Sequence, residues 1–169
     1  MEQWDVYDST GKRTGKTKTR ADVWERGEYH LGVSLWLVNE NAQVLIQKRS
    51  ATKRICPNMW CNVCGSAIAG ETSAEACLRE AREEVGIVIN ESSLTQIGRI
   101  IKQNNIHDDY AAYTDLPIER FSFPVDEVSA LRWASLDEIG DLFRQKQFLL
   151  DDLSELDSLR KYTVEYVKP

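Results

Sequence analysis

The residues with the clearest capacity for chemistry are Glu80, Glu83 and Glu84, three carboxylates crowded into REAREEVG, residues 79–86. On a helix of 3.6 residues per turn they fall within an arc of roughly 100°, so they share one face. Ala74, Leu78, Ala81 and Val85 then make the opposite, core-facing stripe. A solvated charged face is the bland account of such a cluster, and Glu75 with Arg79 at i,i+4 is a favourable pair. Glu80 nevertheless meets like charge at both i+3 and i+4, which costs roughly a few tenths of a kcal/mol per pair unless a cation sits there. Hard divalent cations take carboxylate oxygens, and usually a substrate phosphate with them.

The elements that must position this face are legible around it. A helix is expected from about Ser73 to Val85, with Thr72 and Glu75 as a capping box and Gly86 as its C-terminal stop. Upstream, WDVYDSTGKRTGKTKT reads as strand, turn and strand, and HLGVSLWLV with QVLIQKR as a hairpin joined at NENA. Residues 50–71, holding Pro57, Gly65 and Gly70, read as irregular. SLTQIGRII, DDYAAYT and EVSALRW are further strands, Ser135 and Glu138 cap a second helix through LDEIGDLFRQ, and the acidic, Leu-punctuated tail reads as helical. Strands and helices mix without regular βαβ alternation, which predicts an α+β fold with helices packed on a sheet.

Composition bounds the function. The 169 residues, 42% hydrophobic and 28% charged, read as one domain, 1–169, with no linker or repeat. No apolar run approaches a membrane span and the N-terminus lacks a signal-peptide pattern, so the expected setting is cytoplasmic, with no membrane partner and four reduced cysteines. Net charge is −6, split as +3 over residues 1–60 and −9 over 61–169. That balance excludes a general nucleic-acid footprint. It suits an anionic ligand held between basic side chains of the first third and a carboxylate-bound cation.

The stretch 65–87, GSAIAGETSAEACLREAREEVGI, resembles the Nudix box, G-x5-E-x7-R-E-U-x-E-E-x-G-U with U apolar, and matches every fixed position. The resemblance implies a Nudix fold, a mixed sheet between helices, and a Mg²⁺-dependent (or Mn²⁺-dependent) hydrolase cleaving a phosphoanhydride bond in a nucleoside diphosphate derivative or related compound. It implies Glu80 and Glu84 as principal metal ligands, Glu83 as a further ligand or general base, and the Cys64 carbonyl as an added ligand. Gly65, Glu71, Arg79 and Gly86 would be structural box residues, with Arg79 paired to Glu71. The metal would polarise phosphoryl oxygens and lower the pKa of a bound water. Asp108, Asp109 and Glu127 are candidates for the general base outside the box. The substrate itself does not follow, and a two-fold homodimer stays open as the common default.

From Trp4 to Trp133 the layout is also similar to the isopentenyl-diphosphate isomerase branch of the superfamily, with its extra N-terminal strands. Cys64 stands at the isomerase's cysteine, and Arg49 and Lys53 at its diphosphate-holding residues. Of three metal-binding histidines only one is matched, by His30; Val23 and Ser66 stand at the others. The isomerase, or a catalytically silent diphosphate-binding module, is therefore the alternative rather than the main reading.

Arg49, Lys53 and Arg54 are the expected phosphate grip. Trp60, Tyr110, Phe121 and Phe123 are candidates for a pocket wall, whereas Trp36 and Cys77 read as core. GKRTGKT, residues 11–17, is one residue too short for a P-loop and has no helix behind it. The single C-x-x-C of Cys61 and Cys64, with Cys56 nearby, lacks the partners of a zinc site. His30 reads as a satisfied, partly buried histidine and His107 as a loop residue.

Overall fold

The computed structural model describes residues 2–167. A two-stranded antiparallel sheet pairs β1 (Trp4–Tyr7) with β2 (Arg13–Lys18). GKRTGKT is therefore turn and strand, as its spacing predicts. The main sheet runs in the order β5 (Trp60–Cys61), β4 (Val44–Arg49), β3 (His30–Val38), β8 (Asn105–Tyr113), β7 (Thr95–Lys102). In addition β6 (Val63–Ser66) pairs with β3, and β9 (Val128–Ala134) pairs with β4. β3 and β8 are parallel and their neighbours antiparallel, so the sheet is mixed.

β3 is buried along almost its whole length because both of its faces are covered. Val33, Leu35 and Leu37 pack toward α1 (Ser73–Val85). Trp36 and Val38 pack toward α2 (Leu136–Arg144) and α3 (Glu155–Tyr166). The result is an α+β architecture of a sheet between helices. No described helix is long and apolar enough to cross a membrane.

Three expectations are corrected by the structure. β3 and β4 share only the Val38–Val44 pair beside their turn. They then diverge, β4 joining β9 and β5 while β3 takes β6 through Ser34–Cys64 and Val33–Gly65. The segment expected to be irregular therefore contributes two short strands. Seating β6 against β3 brings the start of the box beside α1. His107, expected in a loop, lies within β8, its Nε2 2.8 Å from Ser34 Oγ.

Candidate active site

The box helix begins and ends where local chemistry dictates. Thr72 Oγ1 accepts from the Glu75 N–H, the Glu75 carboxylate accepts from the Thr72 N–H, and Gly86 closes α1 at φ 70°. Its buried residues are Ala76, Cys77, Ala81, Glu84 and Val85, so the core stripe is rotated from the expected one; Ala74 and Leu78 are only half-buried. The carboxylates consequently do not share one exposed face. Glu83 is 58% exposed, Glu80 13%, and Glu84 is turned inward. Gln47 explains why Glu84 tolerates this: Nε2 donates to Glu84 Oε2 at 2.5 Å and to the Asn62 carbonyl at 3.1 Å. The Cys64 N–H adds a second donor to Glu84 at 3.2 Å.

Gly65 has a steric reason to be glycine. A Cβ there would stand 2.0 Å from Glu80 Oε1 and 2.2 Å from its Cδ, so the carboxylate lies directly against the glycine Cα. Arg79 holds the arrangement from the other side. Its Nε and Nη2 bind Glu71 at 2.8 and 3.1 Å, and Nη2 also donates to the Ser66 carbonyl at 2.9 Å. Nη1 reaches Glu80 at 2.8 Å and Glu83 at 3.1 Å. The cation required by the like-charge spacing is thus supplied internally.

Glu80, Glu83 and Glu84 line one cleft of ≈ 730 Å³ together with Cys64, Gly65 and Arg79. Arg49 and Lys53 line it too, so the basic first third does face the acidic box. Lys53 is ion-paired with Glu127 in the same cleft. Arg49 donates to the Ile55 carbonyl at 3.1 and 3.0 Å.

Other expected residues lie elsewhere. Arg54 is exposed and does not line the cleft. Trp60 packs in the cluster under α2 and α3, beneath Lys48 and Arg132. Tyr110 is buried toward α1, its hydroxyl 2.8 Å from Ser73 Oγ, and Phe121 packs edge-on to Trp133. Asp108 is fully buried against Arg99 at 2.5 and 2.7 Å, and Asp109 lies beside His107. Of the three bases expected outside the box, only Glu127 reaches the cleft.

Burial, and then the Glu84 charge, push Glu80 up to about 7 against the pull of Arg79. Burial likewise raises Glu84, opposed by its bonds from Gln47 and Cys64. Among the described residues, no three His, Cys, Asp or Glu side chains converge closely enough to hold a metal ion as they stand. The physical reason is that Arg79 engages Glu80 and Glu83 while Gln47 engages Glu84. The donor set still fits Mg²⁺ in kind: carboxylate oxygens on one cleft, with mutual repulsion that a divalent cation relieves.

A protein-family model described as NUDIX domain matches residues 28–153. The chain belongs to the Nudix family. An uncharacterised Nudix hydrolase of Listeria monocytogenes is 33% identical over 150 residues, covering 88% of this chain and 89% of that one. An isopentenyl-diphosphate Delta-isomerase of Salmonella heidelberg is 44% identical over 87 residues, 51% of this chain and 48% of the relative. A crystal structure from Deinococcus radiodurans superimposes with a TM-score of 0.76 over 95% of this chain and 98% of its own, at 24% identity.

Within this Nudix chain, the positions of the isomerase-like histidines hold no metal cluster among the described residues. Val23 is 83% exposed. His30 stacks on Trp4 at 4.8 Å, and its Nδ1 is buried with no partner among the described residues rather than satisfied as expected. Burial, then the Arg20 charge, hold its pKa down to about 4. Sequence reasoning missed Gln47, whose signal was a lone amide in the otherwise apolar start of VLIQKR. It also missed Trp4 and Arg20, which line the Nudix cleft from outside the box.

Proposed function

We propose that the chain, acting as one domain over residues 1–169, is a Mg²⁺-dependent hydrolase that cleaves the phosphoanhydride bond of a nucleoside diphosphate derivative or related diphosphate. The observation that carries this reading is the placement of Glu80, Glu83 and Glu84 on the same cleft as Arg49 and Lys53. Glu80 and Glu84 would hold the metal, with Glu83, the most exposed of the three, as further ligand or base and the Cys64 backbone as an added ligand. When bound, the metal would polarise a phosphoryl oxygen and acidify a water. Lys53 and Arg49 neutralise phosphate charge, Lys53 by exchanging Glu127 for substrate. Arg79 keeps the loop at Ser66 and Glu71 against the helix, and Gly65 leaves room for the Glu80 carboxylate.

The test is release of phosphate and nucleotide from a panel of nucleoside diphosphate derivatives with Mg²⁺ or Mn²⁺, with isopentenyl diphosphate isomerisation run alongside. Glu84→Gln keeps the shape of the buried group but removes an anionic ligand, so turnover falls by roughly 10²-fold or more. Unchanged metal dependence in that variant would refute the assignment. Isomerisation lost in Cys64→Ser would replace the hydrolase reading with the isomerase.

A further inference from the structure

The N-terminal hairpin lies outside the residues matched by the family model, yet it is bonded to the box itself. The Ala69 N–H donates to the Gln3 carbonyl at 2.7 Å and the Gly70 N–H to Asp5 Oδ2 at 2.8 Å. Arg13, which pairs with Asp5 at 3.1 Å, donates to the Glu71 carbonyl. These bonds fix the hairpin to the loop that carries Glu71, just after the β6 strand that holds Gly65, and they bring Trp4 to the wall of the carboxylate cleft.

Arg20, two residues beyond β2, lies over the Trp4 ring with its guanidinium carbon 5.2 Å from the centroid. Trp4 is itself only 4% exposed and is packed against His30 and Trp24, so it forms a fixed platform. The cleft cations differ in one respect. Lys53 is paired with Glu127, Arg49 is committed to the Ile55 carbonyl and Arg79 to the box, whereas Arg20 has no hydrogen bond or ion pair among the described residues. Trp4 Nε1 is also buried without an acceptor among the described residues. A guanidinium held on an indole, with its donors uncommitted in a cleft shared with carboxylates, matches the fork geometry of a phosphoryl group.

We propose that Arg20, seated on Trp4, is a substrate-binding residue that grips a phosphoryl group of the diphosphate, so that the N-terminal hairpin completes the site. This rests on the diphosphate reading above. The experiment titrates methylenediphosphonate, a non-hydrolysable diphosphate, with Mg²⁺ into the full chain and into Arg20→Gln and Arg20→Lys. kcat and KM are measured in parallel on whichever panel diphosphate is turned over.

Arg20→Gln is expected to weaken binding and raise KM about 10- to 100-fold with a smaller change in kcat, Arg20→Lys to recover part of it, and the melting temperature to hold. Wild-type affinity and KM in Arg20→Gln, with hydrolysis intact, would overturn the inference and leave the hydrolase standing. Absence of both diphosphonate binding and panel hydrolysis in the unaltered chain would overturn both.

Discussion

As the proposed metal ligand, Glu80, pushed up to about 7 by burial and the Glu84 charge, would tie metal affinity to proton concentration. Below that pH a cation must displace a proton, so apparent Mg²⁺ affinity should fall about tenfold per pH unit below 7 and level off above it. Titrations of Mg²⁺ at pH 6 and pH 8 check this; equal affinities would contradict it. The same shift has a sign in stability. The folded pKa lies above the usual 4.5, so the folded chain keeps a proton that the unfolded chain has released, and metal-free stability drops as pH rises from 4.5 toward 7. Glu80→Gln removes this penalty. With a chelator present it should stabilise the fold at pH 8 by roughly 1–3 kcal/mol, and the gain should vanish toward pH 4.5.

At the scale of the element, α1 and the β6 strand before it form one device, joined at Gly65 and Arg79. Gly65→Ala places a methyl group where the Glu80 carboxylate lies. The clashing atoms are the end of a flexible side chain, so that chain moves and the backbone stays. Metal-dependent turnover should fall by on the order of tenfold or more while the melting temperature changes little. A large melting loss would show instead that the backbone yields. Arg79→Ala has the opposite profile, because it strips Glu71, Glu80, Glu83 and the Ser66 carbonyl of one shared donor. Urea unfolding should register a loss of roughly 2–4 kcal/mol. A fully stable variant with a purely catalytic defect would contradict this structural role.

At the scale of the whole molecule, the hairpin ahead of the family-matched region is part of the packed body. Val6 is fully buried, Trp4 and Tyr7 nearly so, and Tyr7 exchanges backbone bonds with Tyr29 at 2.8 and 2.9 Å. Three such side chains contribute several kcal/mol, on the order of the net stability of a domain. A chain beginning at residue 28 should therefore melt on the order of 10 °C or more below the full chain by circular dichroism. An unchanged melting curve would make the hairpin a mere appendage.

The box helix was legible to the residue because capping boxes and a positive-φ glycine are local chemistry: Thr72, Glu75 and Gly86 need no distant partner to act. The second capping box at Ser135 and Glu138 was readable for the same reason, whereas the strand at DDYAAYT was readable from its apolar, β-prone residues but not in its start, which reaches back through His107. The family was readable too, since its signature is contiguous along the chain. Tertiary structure alone decided which way Glu84 faces, because its donors come from Gln47 and Cys64, far away in sequence. It alone split the β3–β4 hairpin to admit β6, withdrew Tyr110 and Trp60 from the cleft, and brought Trp4 and Arg20 to it. Residue type and spacing determine what a side chain is able to do; long-range strand pairing and burial determine which side chains meet.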